Sequence, residues 1–251
     1  MKAILTFAKT TVRAWIRDKT FYSILLISVL VVLTSLFLTK MTLGNQAKVV
    51  NDLGLTVILF FGVFMTLFTG TVSFEDKTLY ILLSKPIPRF YWILGNYLGS
   101  LFILLINTLV LMAVLYGLGW MIGAPWGLGM SAAIYMIFLE LMIVAAVSLF
   151  FSSFMTSNPL SKFCTLCVFL AGHLLEEVKT LLSASGDDIL LPFFRALYLI
   201  LPNFKAFDLK TEAIHQLPIE PSHLEFASIY GLAYVGILLI LSSVAFARTD
   251  L

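Results

Sequence analysis

Residues 93–123 run for 31 positions without one Asp, Glu, Lys or Arg. Three more stretches, 21–39, 53–73 and 227–247, are equally free of charge, and two further apolar runs, 131–155 and 163–184, carry only a few charges. A helix needs about 20 mostly apolar residues to cross a bilayer, and each run meets that length. Composition points the same way: the chain is 60% hydrophobic and 12% charged, where soluble domains run at about 45–50% and about 25%. A compact soluble domain of this size could not hide so much apolar surface. In lipid the backbone must satisfy its own polar groups, which favours helices. A β-barrel would need alternating strands of about 10 residues, and no such alternation is present. The expected fold is an all-α polytopic membrane protein, a single transmembrane domain over 1–251 with six transmembrane helices. The 31-residue run must tilt, bend at Gly117 or Gly119, or extend beyond the lipid. The net charge of +2 comes without a basic block or stripe and gives no nucleic-acid signal.

Orientation follows from Lys and Arg. With the N-terminus inside, the segments 1–20, 74–92, 156–162 and 248–251 are cytoplasmic and hold ten basic residues in 50 positions. The outer loops 40–52 and 124–130 hold only Lys40 and Lys48. The bias predicts that both termini face the cytoplasm. Residues 1–20 do not read as a cleavable signal, because apolar and basic positions are mixed at helical spacing. Lys9, Arg13 and Arg17 recur every four residues, while Ile4, Ala8, Val12 and Trp15 form a second stripe. That pattern predicts an interface helix whose basic face meets either anionic headgroups or a cytosolic partner. On the outer side, residues 189–202 read ILLPFFRALYLILP, too short to span and interrupted by Pro192 and Arg195. Stretches of about 10–14 apolar residues are more often re-entrant or interfacial. Residues 185–203 are therefore expected to dip back into the outer leaflet, followed by a polar cap to Glu225, with Pro218 and Pro221 opposing regular helix at its end.

Several chemistries lack their residues. No G-x-x-x-x-G-K-[ST] phosphate loop, G-x-S-x-G elbow or H-E-x-x-H occurs, so an energy source must lie in another polypeptide or an ion gradient. Cys164 and Cys167 are spaced C-x-x-C, but without further cysteines or a thioredoxin-like setting they read as small packing residues. Polar residues at lipid depth are costly and tend to be functional. Asn107, Glu140 and His173 fall near the middles of their runs and are expected at comparable depth, where they could line a polar cavity or tie helices together. Glu176 and Glu177 follow one turn beyond His173 on a shared face. These five define a possible translocation pathway; a metal-dependent intramembrane enzyme would need more ligands than His173, Glu176 and Glu177 supply.

The cytoplasmic stretch 74–92, FEDKTLYILLSKPIPRFYW, carries the most information. Glu75 and Asp76 place acids at a helix start, Leu79, Leu82 and Leu83 give an apolar face, and Pro86 and Pro88 end the helix. A short rigid helix along the membrane suits force transmission from a cytosolic motor, and equally a plain connector. The acids, then T-L-Y-I-L-L-S-K-P-I-P-R-F and Leu94-Gly95-Asn96-Tyr97, resemble the signature of type-2 ABC transporter permeases, with Asn96 where that family usually has lysine. The basic N-terminal helix, six runs, outer excursion and tail FARTDL extend the resemblance over the whole chain. It is looser toward the nitrous-oxide-reductase maturation permease group.

The resemblance implies a multi-pass permease subunit of a bacterial-type inner membrane, paired with an identical or related chain. Two separately encoded cytosolic ATPase subunits would supply ATP and Mg, and this chain would hold no cofactor and no metal. Glu75, Asp76, Lys77, Thr78 and Tyr80 would lie on a coupling helix over 75–84 that contacts the ATPase, with Arg13 and Arg17 flanking it. Such proteins export, or flip amphipathic cargo. Two other classes stay open: an ion-coupled transporter or channel built on Glu140, and the metal-dependent enzyme above.

Overall fold

A computed structural model of the chain describes residues 2–39, 46–69, 89–123, 126–155, 157–185 and 201–248. All regular structure among them is helical. In chain order the helices are α1 (Lys2–Arg17), α2 (Lys19–Thr39), α3 (Gln46–Thr69), α4 (Arg89–Ile122), α5 (Leu128–Ser152), α6 (Asn158–Ser185), α7 (Lys210–His215) and α8 (Pro221–Arg248), with a 3-10 turn at Phe204–Phe207 before α7. The sequence-predicted coupling helix at 75–84 and most of the 185–203 excursion lie outside the described residues.

Five of these helices, α2, α3, α4, α5 and α8, are long and apolar enough to cross a membrane. The fifth apolar run also forms one helix, α6, but its outer end carries Glu176, Glu177 and Lys179, which sets it apart from the other five. The long third run neither breaks nor ends at Gly117 or Gly119; α4 continues through both for 34 residues. At a rise of about 1.5 Å per residue that is roughly 50 Å, more than a hydrocarbon core of about 30 Å. Gly123, at φ 73°, supplies the left-handed residue that stops it. At the same end of the bundle Pro218 does lie outside regular helix, but the expectation about Pro221 needs correcting. Pro221 is the first residue of α8, so the last helix begins six positions before 227. Proline suits that position, since the missing N–H has no intrahelical partner there and the fixed φ is already helical.

Lipid tails are as apolar as leucine, so helices in a membrane gain little from burying apolar surface against each other and depend on close van der Waals packing and hydrogen bonds. α5 is the most enclosed span and α2 and α8 are the least. Around α5 pack α3, α4, α6 and α8. Tyr97 of α4 donates to the Met142 carbonyl of α5 at 3.1 Å, and Ser153 meets Ser242 of α8 through their hydroxyls. At the end where α8 begins, α7 and the 3-10 turn cover α5 and α6.

Candidate functional site

Two places concentrate the features expected to matter. The first is the end of the bundle where α3 stops and α4 begins. α1 lies along the first turns of α4. Its contact is made possible by Gly95 and Gly99, four apart on one face of α4. A Cβ on Gly99 would lie 2.7 Å from Thr11 Cβ and 3.0 Å from the Ala8 carbonyl oxygen, and one on Gly95 would collide with Phe7 Cβ and come within 3.0 Å of the Ile4 carbonyl oxygen. Small residues at this spacing let two helix backbones touch. Thr11 Oγ1 then lies 3.2 Å from Asn96 Oδ1, with its hydroxyl as donor. Asn96, the departure from the family's lysine, is thus a partner of α1.

The anticipated stripe of α1 is present with a changed emphasis. Ile4, Ala8, Val12 and Trp15 are half-buried, and Phe7 is fully buried; Lys9, Arg13 and Arg17 are exposed. The apolar face therefore rests on protein, and the basic face is left open. Both ends of the 70–88 segment are fixed around this contact. Ser100 donates to the carbonyl of Thr69, the last residue of α3, at 3.0 Å. Trp92 stacks on Phe246 of α8, centroids 5.2 Å apart and planes 16° apart. Lys162 lies over the Phe68 ring at 4.5 Å, which adds the start of α6.

The second place is deeper. His173 of α6 brings Nε2 to 3.2 Å from Glu140 Oε1 of α5. That oxygen has no hydrogen bond among the described residues, so the contact is a close pairing short of an aligned bond. His173 Nδ1 lies 3.2 Å from the Phe169 carbonyl one turn back. Glu140 is 2% exposed and His173 31%. Above them is the outer cap, residues 201–220. Phe204, fully buried, stacks on the imidazole at 5.4 Å and 25° and also meets Phe169. Gly172 makes room for it: a Cβ there would lie 2.5 Å from Phe204 Cδ2 and 2.6 Å from the Pro202 carbonyl oxygen. Phe207, three residues on, packs over Gly231 of α8. Asn203 caps this 3-10 turn by accepting from Lys205 N. Tyr230 accepts from Asn203 N at 3.1 Å, and the ring N–H of His223 donates to the Ala206 carbonyl at 3.0 Å, so α8 holds the turn in place.

Of the residues expected on a pathway, the structure brings Glu140 and His173 together. Asn107 is fully buried on α4, and neither amide atom has a hydrogen-bond partner among the described residues. Glu176 and Glu177 follow on α6, Glu177 exposed. Among the described residues no three His, Cys, Asp or Glu side chains are grouped to hold a metal. Glu75, Asp76, Lys77, Thr78 and Tyr80 lie outside the described residues. Phe204, Phe207 and the Gly95–Gly99 pair were not singled out for packing. Their signals were present as two phenylalanines three apart amid polar neighbours, and as a G-x-x-x-G spacing.

The model of the ABC-2 type transporter family matches residues 2–176, more than two thirds of the chain. No curated protein sequence matches it. The matched stretch starts in α1 and ends in α6, so it includes the inner platform and the Glu140–His173 pair and excludes the cap and α8. With five apolar helices fit to span a bilayer and this match, the chain belongs to the ABC-2 type transporter family as a membrane-embedded transport component.

Proposed function

We propose that this chain is the permease half of an ATP-driven exporter or flippase, moved by separate ATPase subunits at its inner end. The observation that carries the reading is the α1–α4 clamp at Gly95 and Gly99. It leaves Arg13 and Arg17 exposed on the open face of α1. A coupling helix over 75–84, with Glu75, Asp76, Lys77, Thr78 and Tyr80 toward the ATPase, would push on α4. α1 and α4 would then move as one body, since their backbones leave no space for sliding. Ser100 and Trp92 extend that body to α3 and α8. Closure of the ATPase pair on ATP and Mg would shift the balance between inward and outward states. In this reading α6 also spans, as the fifth of six, both termini are cytoplasmic, and a second permease chain completes the pathway.

The test is a mild-detergent pull-down of the tagged chain from its own membrane, with crosslinking from cysteines placed at 75–85. A stoichiometric cytosolic ATPase, crosslinked from this stretch, is the expected result. Its absence under both conditions sinks the reading. The paired Glu140 and His173 favour one alternative, an ion-coupled carrier; that reading requires transport to survive ATP depletion and to fail when the proton gradient collapses.

A further inference from the structure

The Glu140–His173 pair is unlike the other polar contacts between the helices. Hydroxyls and amides can be buried at lipid depth and remain neutral; a carboxyl and an imidazole are neutral only if their protons are correctly shared. Nδ1 of His173 faces the Phe169 carbonyl oxygen, which can only accept. That nitrogen therefore carries a hydrogen, and the neutral ring presents Nε2 to Glu140 as a base. Glu140 Oε1 receives no hydrogen bond from any described residue, and the side chain is 2% exposed. A bare carboxylate here would be an uncompensated charge in a medium that disfavours it strongly. One proton beyond the one on Nδ1 therefore belongs to the pair, either on the carboxyl or on Nε2, and both arrangements are neutral overall.

We infer that Glu140 and His173 form a proton-binding site at lipid depth, and that its proton keeps the outer cap seated on the bundle. The mechanical link is Phe204. Its ring lies on the imidazole, and Gly172 and Pro202 leave it no slack. With the proton bound, the pair is neutral overall, and the imidazole, fixed by Nδ1 on the Phe169 carbonyl, offers a flat surface for an aromatic plug. When the proton leaves, a carboxylate remains beneath Phe204, and the least costly response is to admit water. Water beyond what already reaches His173 is gained by displacing the plug. His173, 31% exposed, is the partner through which the proton comes and goes. The charged groups acting on the pair from other elements are Asp208 and Lys210 of the cap, which oppose each other; α3, α4 and α8 contribute none among the described residues. Asp208 and Lys210 flank the cap's own connection from Phe207 to α7, so lifting the cap also withdraws that balanced pair.

The inference does not depend on the ATPase, and neither does its test. Ala206→Cys, next to the plug, is introduced with Cys164→Ser and Cys167→Ser in the full chain in membrane vesicles. Labelling by an impermeant methanethiosulfonate from the outer side is read from pH 6 to pH 9. Each value is divided by that of Leu217→Cys, an exposed cap position, to cancel thiol ionisation. The ratio is expected to rise by about fivefold or more as pH rises, in line with typical coupling between two sites. Glu140→Gln cannot lose a proton and should give a flat, low ratio. A ratio that is flat in the parent, or that still rises in Glu140→Gln, overturns the inference. Should Glu140→Gln fail to reach the membrane, His173→Gln decides: it takes the base from the carboxyl, and the midpoint of the rise must move by about one pH unit or more. An unmoved midpoint overturns it equally.

Discussion

The two ends of this bundle are held by different physics. At the end where α4 begins, α1 meets α4 through glycines, with backbone against backbone, and a serine hydroxyl and a stacked indole add the neighbouring helices. None of these contacts titrates, and none has a near alternative geometry. At the outer end, an aromatic plug rests on an imidazole beside a buried carboxyl. A transporter has to transmit displacement at one end and open and close at the other. Glycine clamps suit the first task because close-packed surfaces shift as units. A plug over an ionisable pair suits the second, because one proton changes the cost of the closed state.

The contrast is broken most sharply by emptying the outer end. Phe204→Ala removes a fully buried ring, a change that costs about 3–5 kcal/mol where the site cannot collapse. Labelling at Ala206→Cys should become high at every pH, while a crosslink between cysteines at Thr11 and Asn96, whose side chains already meet, forms as before. Loss of both signals would mean that the ends are not independent. The reciprocal variant is Gly95→Leu. Its side chain meets the backbone of α1, so relaxation has to move a helix, at about 1–3 kcal/mol or more. α1 should leave α4, accessible to labelling along its Phe7 face, and ATPase association should fall. The cap should respond as in the parent.

The difference between the two ends also explains what the sequence made legible. Long charge-free runs predict helices whatever their neighbours, and each run became one helix within a few residues. The stripes of α1 were equally plain, because Lys9, Arg13 and Arg17 cannot share a face with Phe7 without cost. The number of helices fit to span was harder. α6 carries Glu176, Glu177 and Lys179 at its outer end, and composition alone does not tell a charged vestibule from a helix that stops short. The pairing of Glu140 with His173 depends on how α5 and α6 face each other, which no local pattern encodes. The proline argument failed because Pro221 was weighed against helix interior, where it is costly, instead of the first turn, where it is favourable. For the glycines the spacing was visible, but a glycine's role is set by what approaches it, and that partner lies 85 or more residues away in sequence.

Asn107 offers a subtler probe, because it belongs to neither end. Its amide is fully buried and unpartnered, and an unmet amide costs about 1–3 kcal/mol. Asn107→Leu should therefore raise the melting temperature of the purified chain in detergent. If transport falls while stability rises, the amide is kept for cargo; if both are unchanged, it is met by a group from outside this chain.

The smallest structural effect is expected at the open face of α1. Arg13 and Arg17 are exposed, and surface substitutions of this kind usually stay within about 0.5 kcal/mol. Arg13→Ala with Arg17→Ala should leave stability and the Thr11–Asn96 crosslink untouched. What the pair does is then read from two binding measurements. If it docks the motor, ATPase co-purification weakens and does so more at high salt, where exposed charges are screened. If it only holds anionic lipid, co-purification is unchanged and the chain instead loses its preference for negatively charged nanodiscs. The basic face of α1 would then steady the clamp from the membrane side, and the force from the motor would pass through residues 75–84 alone.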